Sequence, residues 1–177
     1  MSRTPPLLAH ETFVRVLRVA RFDGLSVLWV AGFFALLAAA DGDFRGAVVG
    51  LIIAAAGAIE LHGVAVLRHG EPRGVSWLVG SQIFLLLAML GFCALQLTHF
   101  DVEPMRAAFE RSLRLSFMRQ MWEANQQQTG ITETQFIRQT YALTYLTLAF
   151  VSLIYQGGMA TYYLRRREPV TRALADE

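Results

Sequence analysis

Glu60 is the one acidic residue inside a long apolar run of this chain, and His62 follows two positions later. A charged side chain at the centre of a bilayer costs a few kcal/mol on insertion scales, so an acid in such a run marks a candidate site for a proton or a small cation. Glu60 lies seven residues, about 10 Å, before the run ends at Leu67. Ser81 and Gln82 in the next run, and Ser152, Tyr155 and Gln156 in the last, fall in the corresponding half of their own segments. These residues are expected to form one polar layer in which Glu60, His62, Gln82 and Gln156 converge. The layer is either a hydrogen-bonded belt that fixes helix packing or a station on a path for a proton or cation. Glu60 and His62 stand about 200° apart on a helical wheel, so they flank the layer without touching each other.

Other chemistries find no residues to carry them. There is no nucleophile elbow, phosphate-binding glycine loop, dinucleotide fingerprint, His-Glu-x-x-His pair or Cys-x-x-Cys pair, so no catalytic residue and no cofactor is expected. His62 and His69 with Glu60 and Glu71 straddle a helix end at a spacing that matches no standard metal site. Cys93 is the single cysteine and excludes a disulfide framework. The basic pI near 9.0 reflects sixteen arginines, no lysine and fourteen acids, a small imbalance and not a nucleic-acid-binding face.

The elements that position the polar layer are membrane spans. Of 177 residues, 54% are hydrophobic and 17% charged, and a soluble domain carries roughly 25% charged residues. A helix needs roughly 20 apolar residues to cross a hydrocarbon core of about 30 Å. Four runs meet that length: 24–40, 46–67, 75–98 and 140–164. Cytoplasmic flanks retain arginine. Residues 1–23 carry four Arg and two acids, 68–73 two Arg and one acid, and 165–177 four Arg and three acids, whereas 41–45 and 99–139 show no basic excess. Both termini are therefore expected in the cytoplasm, the chain residing in a bacterial inner membrane. The run ending in Ala38-Ala39-Ala40 resembles a cleaved secretory signal, but its 23-residue leader is long for one and the segment is expected to stay as a span.

Outside the spans, residues 7–22 place Phe13, Val16, Leu17 and Ala20 on one side and Glu11, Arg15 and Arg18 on the other, the pattern of an interfacial amphipathic helix. Residues 103–139 are expected to form a periplasmic helical hairpin: one arm opens at Glu103-Pro104 and stops near Thr129-Gly130, and Thr132-x-x-Gln135 is a capping box for a second arm that runs on to Arg165. On the first arm Phe109, Leu113, Phe117 and Met121 form one apolar row, and Leu115, Met118 and Trp122 another. In the second span Gly46, Gly50, Ala54 and Ala58, with Gly57 beside them, make a small-residue packing face, and Gly157-Gly158 permits close approach or a kink in the fourth.

The fold class that follows is an all-α integral membrane protein: one membrane domain over residues 1–177, four transmembrane helices, both ends inside, an N-terminal interfacial helix and an external hairpin between the third and fourth spans, with 165–177 as a cytoplasmic tail. Its packing faces exceed what four helices use, which points to a homo-oligomer in the lipid bilayer. The leading functional expectation is a channel or a proton or ion pathway through the polar layer. The other is a non-catalytic scaffold or sensor whose hairpin binds a partner.

Overall fold

The computed structural model describes residues 8–100, 106, 119–120, 122–124, 126 and 130–175. Five helices with stated bounds are described: α1 (Ala9–Ala40), α2 (Phe44–Arg68), α3 (Gly74–Thr98), α4 (Glu133–Arg165) and α5 (Arg167–Ala175). The first four are long and apolar enough to cross a membrane, as the uncharged runs require. The chain forms two compact units, Met1–Leu90 with Ser152–Glu177, and Gly91–Val151.

In the first unit α1 runs without a break from Ala9 to Ala40, so the separate interfacial helix expected at 7–22 and the span at 24–40 are one element. Gly24 does not interrupt it, because an isolated helical glycine costs only about 1 kcal/mol and no proline accompanies it. The amphipathic face of the first turns is not directed at lipid headgroups. Phe13, Val16 and Ala20 are buried in one core with Val64, Leu67, Val75, Leu78, Tyr163, Val170 and Ala173. Val170 and Ala173 belong to α5, so the segment following the last span folds back as a short amphipathic helix onto the start of the first. Its outer side carries the Glu168–Arg172 ion pair, one turn apart.

Small residues set how closely α1 and α2 approach. A Cβ placed on Gly57 would lie 2.6 Å from the carbonyl oxygen of Gly24 and 2.7 Å from the amide nitrogen of Leu28, and one on Gly50 would lie 2.8 Å from the Cβ of Ala35. The packed row is Gly50, Ala54 and Gly57, and Gly46 at its start would meet Ala38. Ala58 leaves the row and is exposed, and Gly57 continues the row instead. The reason is geometric: steps of four drift off a contact line that 3.6 residues per turn keeps only by alternating fours and threes. This face is used within the chain, which removes one motive for the expected oligomer. Toward α3 a second close approach joins Gly63 to Gly74, where a Cβ on Gly74 would lie 2.7 Å from the Gly63 carbonyl oxygen. Gly157 and Gly158 differ: an added Cβ would meet nothing within 4 Å at either, so no helix among the described residues uses the close approach they permit.

Turn chemistry follows the sequence. Asp43 caps α2 by accepting a hydrogen bond from the Gly46 amide at 3.0 Å, Gly70 takes φ +79° in the α2–α3 turn, and Glu71 pairs with Arg73 there. Replacing Asp43 with alanine is expected to lower stability by about 1 kcal/mol, read as a lower thermal midpoint in detergent.

In the second unit Gly130 adopts φ +64°, and the Thr132–Gln135 capping box is formed in both directions, at 3.2 and 3.4 Å. Trp122 packs on Phe136 with ring centroids 4.9 Å apart, so this member of the second apolar row lies against the start of α4. Phe109, Leu113, Leu115, Phe117, Met118 and Met121 lie outside the described residues. Tyr141 donates to both the backbone and side-chain oxygens of Gln96, and Phe92, Phe100 and Tyr145 complete an aromatic group around it.

Candidate functional site

Within the first unit, α1, α2, α3 and α4 each send polar side chains to one buried place. Glu60 on α2 is 1% exposed, Gln82 on α3 1% and Asp23 on α1 6%. The Gln82 Nε2 donates to Asp23 Oδ2 at 2.8 Å and to Glu60 Oε2 at 3.0 Å, spending both of its hydrogens on carboxylates. The opposite oxygen of each carboxylate is met from α4. Tyr155 donates its hydroxyl to Asp23 Oδ1 at 2.7 Å, and Tyr163 donates to Glu60 Oε1 at 2.6 Å. A chain of five side chains thus runs Tyr155–Asp23–Gln82–Glu60–Tyr163, and every carboxylate oxygen accepts one hydrogen bond.

Each member is held by ordinary helix geometry. Phe13, Val16, Ala20 and Asp23 recur at steps of three and four, so Asp23 continues the inward face of α1. Glu60 follows Gly57 by three residues and precedes Val64 and Leu67 on the inward face of α2. On α4 Ser152, Gln156 and Tyr163 are buried at 4%, 8% and 0%, a spacing of four and seven.

No arginine or histidine pairs with Asp23 or Glu60 among the described residues. Two carboxylates on one amide, away from water, are not balanced by neutral donors alone, because burying an uncompensated charge costs far more than a hydrogen bond returns. The balance has to come from a proton or a small cation. The Gln82 Oε1 is buried and accepts no hydrogen bond, as is the Oε1 of Gln156. Buried polar atoms are nearly always partnered, and these two acceptors are exceptions among the described residues. No group of three or more His, Cys, Asp or Glu side chains is gathered among the described residues.

Of the expected layer, Glu60 and Gln82 meet, and Tyr155 reaches the same cluster although half of its surface is exposed. Ser81 is buried but spends its hydroxyl on the Leu78 carbonyl one turn back, at 2.8 Å. Ser152 and Gln156 are buried, and no hydrogen bond ties them to the cluster. His62 is not in it. The residue is exposed and packs edge-on against Trp77 with centroids 5.0 Å apart, since two residues beyond Glu60 on a helix is the far side.

Two members were not evident from composition. Asp23 immediately precedes an uncharged run and reads as part of a charged flank, but its spacing from Phe13, Val16 and Ala20 marks it as inward-facing. Tyr163 sits at a span end, where tyrosines ordinarily occupy the headgroup region, yet it continues the spacing of Ser152 and Gln156.

Comparison of the chain with protein-family models, with curated proteins and with solved structures yields no match.

Proposed function

We propose that this chain is a membrane pathway for protons, with the Asp23–Glu60 pair as the station at which the proton is held between the two faces. The observation that carries the reading is the sharing of one Gln82 amide by two buried carboxylates that have no cationic side chain to balance them among the described residues. Intramembrane acids paired in this way are costly to bury and recur where protons or ions are moved.

In this reading both termini face the cytoplasm and residues 103–139 face outward, an orientation supported by the arginine-rich segments 1–23, 68–73 and 165–177. The chain works in a bacterial inner membrane, as a homo-oligomer whose stoichiometry native mass in nanodiscs would count.

The test is dissipation of an imposed pH gradient by liposomes containing the purified protein, followed with a pH-sensitive dye. Asp23→Asn and Glu60→Gln are each expected to slow it about tenfold to a hundredfold, the equivalent of one lost charge-assisted hydrogen bond of about 1.5–3 kcal/mol. A sodium or potassium gradient should leave the rate unchanged. Vesicles as tight as protein-free ones would overturn the pathway and leave the hairpin-presenting scaffold as the reading to pursue.

A further inference from the structure

A second polar site lies in the first unit, apart from the carboxylate cluster. A cleft of about 530 Å³ is lined by Thr12 of α1, Gly158, Thr161, Tyr162 and Arg165 of α4, Arg166 after it, and Pro169 of α5. Its size is that of a site for one small molecule or headgroup. Two guanidinium groups line it. Arg166 stands over the Tyr162 ring at 4.2 Å from the centroid, which orients its fork by a cation–π contact. Arg165 has no ion pair among the described residues, and Glu168, three positions on, pairs with Arg172. The hydroxyl of Tyr162 is buried and has no hydrogen-bond partner. Gly158 leaves the cleft floor open, because an added Cβ would meet nothing within 4 Å.

The two arginines, with Thr12 beside them, form a donor set for a phosphate group, whereas the Thr161 hydroxyl is already given to the Gly157 carbonyl at 2.7 Å. The guanidinium fork matches phosphate oxygens in pairs, and a hydroxyl donates to a third oxygen. The cleft reaches from Gly158, inside an apolar span, to Arg165 and Arg166, where that span gives way to charge. A phosphodiester with acyl chains beneath it fits that gradient, and basic pockets between transmembrane helices take anionic headgroups. We infer that this cleft is a binding site for the phosphate headgroup of an anionic phospholipid, docked where α1, the end of α4 and α5 meet. The proposal is independent of the proton pathway.

The test is native mass spectrometry of the whole chain, released from micelles holding equal amounts of phosphatidylglycerol and phosphatidylcholine, with retained lipid counted by mass. The wild-type chain is expected to keep phosphatidylglycerol about tenfold in preference, and Arg165→Gln with Arg166→Gln to lose that preference, as expected for two charge-assisted contacts. Gly158→Leu keeps both charges and fills the cleft, and it is expected to lose the bound lipid as well. Equal retention of the two lipids by the wild-type chain would overturn the site. So would a Gly158→Leu chain that keeps phosphatidylglycerol as the wild type does, since the arginines would then act only as surface charge. Inorganic phosphate that displaces phosphatidylglycerol at equal concentration would overturn the lipid as the source of the anion.

Discussion

Gly57→Leu is expected to separate α1 from α2 and to lower the stability of the chain by about 3 kcal/mol or more. The Cβ alone would enter within 2.7 Å of two backbone atoms, the Gly24 carbonyl oxygen and the Leu28 amide nitrogen. Backbone cannot swing aside as a side chain does, so the two helices must part. Overpacking a close contact costs roughly 1–3 kcal/mol when neighbours can repack, and the upper end or beyond applies here. The readout is the thermal midpoint in detergent together with the fraction recovered as a single species. The contrast is Gly158→Ala, which meets open space and is expected to leave the midpoint unchanged or slightly raised. A Gly57→Leu protein as stable as the wild type would show that α1 and α2 do not pack through these glycines.

Gln82→Leu is the second large effect, and it acts through charge. Leucine is close to glutamine in volume, so packing changes little, but Asp23 Oδ2 and Glu60 Oε2 both lose their donor at once. Removing one partner from a buried charged network costs about 3–5 kcal/mol, because the remaining groups stay desolvated. Adding Asp23→Asn to Gln82→Leu is expected to recover a large part of that loss, since it removes one of the two negative charges and brings an amide donor beside the other. The double-variant cycle should therefore depart from additivity by at least about 1 kcal/mol. Additive losses would mean that the two carboxylates do not sense each other through Gln82.

The spans were legible because apolar run length is a direct consequence of bilayer thickness: α2 and α3 extend the runs 46–67 and 75–98 by only one or two residues. The beginning of α4 was legible through Gly130 and the capping box at Thr132, where local hydrogen bonds decide the boundary. What hydropathy hid was the role of residues at the ends of runs. Asp23 and Tyr163 look like flanking residues when depth is counted in sequence. Their place in the cluster comes from helix phase, and Tyr163 is also covered by Val170 and Ala173 of α5. His62 shows the converse, since its presence in an apolar run says nothing about the side on which it projects. Of the two apolar rows expected within 103–128, Trp122 alone is among the described residues, against Phe136.

The amide at the centre of the cluster has one further consequence. Gln82 supplies hydrogens to both carboxylates and takes none from either, and an amide nitrogen, having no basic lone pair, cannot accept a proton on one side and release another on the other. In the proposed pathway Asp23 and Glu60 each keep their own tyrosine, and the amide that joins them carries no proton from one to the other. Passage between the two acids then bypasses Gln82, directly or through a water. In the proposed pathway the amide is thus an insulator at the midpoint of a conductor, an anchor for the two acids and not a link between them.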